Sequence, residues 1–309
     1  MLQNFSEVVK RAKQLGKVTV SVAAAQDKDV LLAVKAAIEQ GLIDAILVGD
    51  AGIIKSLAAE IGLPGDIAIV DEPDLDKAAL AAVTLVSQGR AQILMKGLIN
   101  SSNFLRATLN AESGLRTGKI LSHFAAFEIP GEKKLVFHTD GGINIAPNLQ
   151  EKKEILLNAL EALHIMGSSK PKVAALTANE QVNPKMPATI DAKALADMGA
   201  EGLLPPCTIE GPIAMDVAAS AAAAKHKGIE SQIAGDVDVF LVPTIEAGNM
   251  VGKTLVHYAK AKIAGMVLGA ANPIVMVSRA DTAESKLNSI ALACLGFDRS
   301  RAYTANGGV

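Results

Sequence analysis

Strand-like and helix-like runs alternate, with short connections, through the first hundred residues of this 309-residue chain. KVTVSVAAA (17–25) reads as a strand, and Asp27 to Gln40 as a helix that stops at Gly41. DAILVG (44–49), a helix over 51–61, DIAIV (66–70), a helix over 75–88 and AQILMKG (91–97) keep the rhythm. Strands joined in this way through helices form right-handed βαβ units around a mostly parallel sheet. The composition agrees. Half of the residues are hydrophobic, only 3% are aromatic and Trp is absent, so the core is built of Ala, Val, Ile and Leu, as strands covered on both faces require.

Near Lys133 the pattern changes. KKLVFHTDGGINIAPNL (133–149) is a strand that runs into a Gly-, Asn- and Pro-rich segment, a crossing point between domains. SSKPKVAALTANE (168–180) then opens a second unit much as GKVTVSVAAAQ opened the first. A chain of this length can bury two cores. We expect a first α/β domain over 1–142 plus 284–309 and a second over 143–283, with a cleft between them; the final helix, 282–295, returns to the first. SRAYTANGGV at the end reads as a loose polar tail.

Several function classes are disfavoured. The net charge of −2 supplies no basic field for nucleic acid. Apolar runs break well short of a membrane span, and the first seventeen residues lack the apolar stretch of a signal peptide. Cys207 and Cys294 show neither metal spacing nor a disulfide framework, so a reducing cytoplasm is the expected home. The five histidines have no paired-ligand spacing, and no metal is expected. VAAAQDKD follows the first strand where a dinucleotide site would need G-x-G-x-x-G, and MVGKT (250–254) lacks the upstream glycine of a P-loop.

In open parallel sheets, ligands bind beyond the carboxyl ends of the strands, where helix N-termini offer free N–H groups. After AQILMKG stand Asn100, Ser101 and Ser102, with Arg106 one helical turn beyond Ser102. Hydroxyls, helix N–H groups and a guanidinium suit a phosphate, although the same residues also make a capped helix with a surface arginine. Asp140, Gly141, Gly142 and Asn144 follow the next strand, where glycines allow a close backbone approach or simply a tight turn. EQVNPKMPATIDA (180–192) reads as a flap or an ordinary connection. VFLVPTIEAGNMVGKTLVHYAK (239–260) breaks at Pro243 and resumes a helix pattern after Gly248-Asn249, leaving Glu246 at the lip of a strand end. NPIVMVSRADTAESKLNSI (272–290) places Ser278 and Arg279 at the end of an apolar strand, with Asp281, Glu284 and Ser285 close behind. Asp281 or Thr282 is the N-cap there.

Taken together, KGLINSSNFLR, FHTDGGINIAPNLQEKKEI, VPTIEAGNMVGKTLVHYA and ANPIVMVSRADTAESKLNSIAL resemble the phosphate acetyltransferase and phosphate butyryltransferase family over nearly the whole chain. The detail is more similar to the butyryl branch, since SRAD stands where the acetyl branch reads more like Ser-Arg-Gly. The resemblance implies two α/β domains of the isocitrate/isopropylmalate dehydrogenase-like type, a homodimer, and reversible acyl transfer between coenzyme A and inorganic phosphate. Acyl-CoA and phosphate are then substrates, and no tightly bound cofactor is expected.

By the same resemblance, Ser278 and Arg279 line the active site, and Arg106 engages phosphate or coenzyme A. Asn144 and the loop from Glu246 to Asn249 lie at the cleft. For Glu246 itself we expect a supporting role, orienting Asn249, Lys253 or an arginine across the cleft rather than touching substrate. The acetyl enzymes carry an aspartate seven residues after the serine as the thiol base. The same interval ends here on Ser285, leaving Glu284 and Asp281 as the nearest carboxylates. Two alternatives stand beside this reading: an isocitrate dehydrogenase-like oxidoreductase on the same scaffold, and a non-catalytic module that binds coenzyme A or acyl phosphate.

Overall fold

The computed structural model describes residues 1–278 and 281–300. The chain forms two compact units: a terminal unit of Phe5–Lys119 with Ala264–Val309, and a central unit of Met1–Asn4 with Ile120–Ile263.

The terminal unit opens with α1 (Phe5–Gln14), followed by β1 (Val18–Ala23), α2 (Lys28–Glu39), β2 (Ile43–Gly49) and α3 (Ala51–Ile61). It continues through β3 (Ala68–Asp71), α4 (Leu75–Ser87), β4 (Ile93–Lys96) and α5 (Ser101–Thr108). These elements match the alternation read from the sequence, and the helix starts have simple chemical causes. Asp27, Asp50 and Asp74 each accept a hydrogen bond from a first-turn N–H, at 2.9 Å in all three cases, which supplies an acceptor the helix itself cannot.

The central unit contains β5 (Ser122–Glu128), β6 (Val136–Thr139), α6 (Leu149–Ile165), β7 (Lys172–Thr177) and α7 (Pro187–Ala200). It continues with β8 (Thr208–Ala214), α8 (Met215–Ala219), α9 (Ala221–His226), β9 (Val239–Leu241) and α10 (Ile245–His257). Then β10 (Lys262–Leu268) leads back to the terminal unit, which β11 (Ile274–Val275) and α11 (Ala283–Gly296) complete.

The terminal unit's strands run in the order β3-β2-β1-β4-β11-β10. All are parallel except β10, which is antiparallel to β11. In the central unit the order is β5-β6-β9-β7-β8, with only β5 antiparallel to its neighbour. The mixed α/β fold with a mostly parallel sheet is the class the alternation demands.

Three boundaries differ from the sequence reading. The units divide at 119/120 and 263/264 rather than at 142/143 and 283/284. Composition marks the glycine-rich turn after β6, whereas packing places β5 and β6 in the central unit, because β5 pairs with β6 and β6 pairs with β9. Second, α10 starts at Ile245, so Gly248 and Asn249 lie inside it rather than before it. Third, the second half of 180–192 is the start of α7, with Pro187 in its first turn, a position that proline tolerates because that N–H has no helical partner.

Candidate active site

Two groups of strand ends carry the polar residues singled out by the sequence. In the terminal unit, β4 and β11 are parallel neighbours, with Leu94 opposite Ile274 and Met95 opposite Val275. Their carboxyl ends therefore emerge side by side. The segment 97–106 follows one and Ser278 follows the other. Ser278 thus shares a unit with Ser101, Ser102 and Arg106, rather than standing in the opposite domain.

The turn after β11 is held from three sides. The Asp281 N–H donates to the Ser278 carbonyl at 3.1 Å, and the Ser278 N–H donates to Asp281 Oδ2 at 2.9 Å. The buried ammonium of Lys286 donates to the Asp281 carbonyl. Thr282 is the N-cap of α11, accepting from Ser285 N at 3.2 Å, so the Asp281 carboxylate serves the turn instead. Ser278 and Glu284 are exposed, and Ser285 is half-buried with its hydroxyl 3.2 Å from that of Thr282. Arg279 lies outside the described residues.

After the neighbouring strand, Ser101 and Ser102 are exposed in the first turn of α5, and Asn100 is its N-cap residue, with no side-chain bond to the helix N–H groups. Arg106 is in the last turn, its side chain 70% exposed and 3.5 Å from Asp76 Oδ2. Asn103 donates to the other oxygen of Asp76 at 2.8 Å. Arg106 is therefore oriented by α4.

The central unit's strand ends are organised differently. Asp140, buried after β6, accepts from the N–H groups of Gly142, Ile143 and Asn144 at 2.8, 3.0 and 3.2 Å. The Asn144 amide donates to Asp140 Oδ2 at 2.6 Å and to the Leu121 carbonyl at 2.8 Å. Asn144 thus ties the loop to β5, with its Nδ2 donors already used. A Cβ on Gly248 would stand 2.6 Å from Gly141 Cα, so glycine at both positions lets α10 lie directly on the loop. Asn249 reaches the Gly141 carbonyl at 3.4 Å. Glu246, exposed in the first turn of α10, makes no hydrogen bond or ion pair among the described residues, so its expected role of orienting Asn249 or Lys253 is not seen.

Beneath this loop His138 is 3% exposed, stacked on Phe127 at 5.3 Å between ring centroids. Neither ring nitrogen has a hydrogen-bond partner among the described residues. Burial, aided by the neighbouring charge of His123, pushes its pKa down to about 3, so the ring is neutral at physiological pH. Glu210, in β8, and Asp216, in α8, serve structure. Glu210 accepts from Ser231 and Gln232, and Asp216 pairs with Lys227.

The two cysteines are not primed as nucleophiles. Burial pushes Cys294 up to about 12 and raises Cys207 as well, which keeps both as thiols. Among the described residues, no group of three or more His, Cys, Asp or Glu could hold a metal ion, and no helix is long and apolar enough to cross a membrane.

A family model described as "Phosphate acetyl/butaryl transferase" matches residues 67–294. The chain belongs to the phosphate acetyl/butyryl transferase family. That is a family of enzymes. A protein named phosphate butyryltransferase from Clostridium acetobutylicum is 47% identical over 96% of this chain and 98% of its own length. Among solved structures, a branched-chain phosphotransacylase from Enterococcus faecalis V583 superposes with a TM-score of 0.80 at 34% identity, over 91% of this chain and 99% of that one. A 4-hydroxythreonine-4-phosphate dehydrogenase from Klebsiella pneumoniae shares the fold alone, with a TM-score of 0.58 at 16% identity, over 92% of this chain and all of that one. The dehydrogenase-like architecture expected from the resemblance is thus present.

Sequence reasoning passed over two residues at these strand ends. Lys96, 6% exposed, ends β4, and Lys286, 4% exposed, lies one turn into α11. The signal for Lys96 was available: a lysine closing the apolar run ILM has no place in a core unless something compensates it. Lys286 sits in a mixed polar segment, and only the packing of α11 reveals its burial.

Proposed function

We propose that this chain transfers a short-chain acyl group, butyryl or acetyl, between coenzyme A and inorganic phosphate, at the carboxyl ends of β4 and β11. The observation that carries this reading is the adjacency of those two strands, which brings the hydroxyls of Ser101 and Ser102 to the same edge of one unit as the Ser278 turn.

In the direction of acyl-CoA formation, the coenzyme A sulfur attacks the acyl phosphate carbonyl. A C–S bond forms, the carbonyl oxygen becomes an oxyanion, and the C–O bond to phosphate then breaks with its electron pair on the leaving phosphate. Positive and N–H donors stabilise both developing charges, and we assign this to Arg279, Arg106, Ser278 and the first turn of α5. The thiol must lose its proton, since a free thiol near pKa ~8.5 is only partly ionised at neutral pH. With the Asp281 carboxylate committed to the turn, Glu284 is the carboxylate assigned to that proton, and a positioned base contributes ~10²–10⁴-fold.

Two protonated thiols support transfer within a ternary complex, without an acyl-cysteine intermediate. The butyryl branch is favoured by SRAD at 278–281, and a homodimer is the assembly proposed from the family resemblance. The test is phosphate-dependent release of coenzyme A from a series of acyl-CoAs, with both substrates varied. Saturable release with intersecting double-reciprocal lines supports the reading. Parallel lines overturn direct transfer, and release that ignores phosphate overturns the function. Nicotinamide cofactor binding in place of coenzyme A would instead favour the oxidoreductase.

A further inference from the structure

Lys286 breaks two rules at once. It is 4% exposed, and its side chain runs back toward the positive end of α11, where anions are favoured and cations are not. An ammonium has three donors. One reaches the Asp281 carbonyl, and no carboxylate pairs with Lys286 among the described residues. A buried charge of this kind is costly until something of opposite sign reaches it. Another buried ammonium, Lys96, ends the neighbouring strand.

We infer that Lys286 binds the phosphate of the transfer reaction, its two remaining donors completing a site formed with the first turn of α11 beside Ser278. The inference rests on the acyl-transfer reading and names the residue that meets the anion. The same chemistry would also hold the diphosphate of coenzyme A, and the test separates the two sources.

The experiment compares the wild-type chain with Lys286→Met and Lys286→Arg. Lys286→Met should raise KM for phosphate about tenfold or more, as loss of a charged hydrogen bond to a bound anion does, and leave KM for butyryl-CoA unchanged. Lys286→Arg should recover most of the phosphate affinity. Added phosphate should raise the Tm of the wild type, relative to chloride at matched ionic strength, and should not raise that of Lys286→Met. Without phosphate, the Tm of Lys286→Met should equal or exceed the wild-type value, because an uncompensated charge has been removed.

An unchanged KM for phosphate overturns the inference, as does a shift confined to KM for butyryl-CoA. A lower Tm with normal kinetics would make Lys286 a clamp on the Asp281 carbonyl and nothing more. The thermal shift keeps the two readings apart. A wild-type chain that phosphate stabilises through Lys286 supports the anion site even without acyl transfer. A chain that turns over but keeps its phosphate response in Lys286→Met overturns the site while the function stands.

Discussion

The two sets of strand ends treat their polar groups in opposite ways. In the central unit, the carboxylate of Asp140 collects three backbone N–H groups and the Asn144 amide, and Gly141 and Gly248 bring the loop into backbone contact with α10. In the terminal unit, Ser101, Ser102, Ser278 and Glu284 face solvent, and two lysines lie buried near them. Groups already satisfied inside the protein hold shape; donors turned outward beside buried cations are suited to recruit an anion. On the proposed function, the loop at 140–144 holds shape and the ends of β4 and β11 carry the chemistry.

Asp140→Ala tests the first half of that division and should have the largest effect. It leaves three backbone N–H groups and an amide without their acceptor, at a cost of about 3 kcal/mol, seen as a lower midpoint in urea unfolding. A loss below about 1 kcal/mol would show that the loop does not depend on its buried carboxylate.

His138 sharpens the same contrast through pH. Its folded pKa lies near 3 against an ordinary value of 6.5, so below pH 6.5 the unfolded chain takes up a proton that the folded chain refuses. This contribution is fully present above pH 6.5 and declines as pH falls toward 3, with a slope of up to ~1.4 kcal/mol per pH unit. His138→Phe should flatten the stability profile by one proton over that window and leave stability at pH 7 unchanged or higher. An identical slope in both proteins would mean that His138 is protonated or partnered when folded.

Asp76→Ala should have the smallest effect. Both side chains of the Asp76–Arg106 pair are more than half exposed, and such pairs contribute ~0–1 kcal/mol. Thermal unfolding should barely move, whereas phosphate-dependent turnover should change if Arg106 needs α4 to aim it. Unchanged turnover would reduce the pair to surface decoration.

Much of this molecule was legible in its sequence, for reasons particular residues make plain. Capping aspartates at 27, 50 and 74 and strand runs such as VTVSVA announce themselves locally. Position 248 did not, because glycine there serves a contact with Gly141, 107 residues away, and reads locally as a break. The site was half legible. Ser278 and the α5 start lie at strand ends that the alternation predicts. Their adjacency depends on β11 pairing with β4 across the whole central unit, which no local pattern encodes. Lys286 was hidden because burial of a lysine is a property of packing.

The most direct test is the steady-state kcat/KM of Ser278→Ala for phosphate-dependent release of coenzyme A from butyryl-CoA, measured together with its Tm. The bond from the Ser278 backbone N–H to Asp281 survives the substitution, so Tm should change little while kcat/KM falls about 10²-fold. Wild-type turnover, or a loss matched by a falling Tm, would contradict the assignment of chemistry to this edge of the terminal unit.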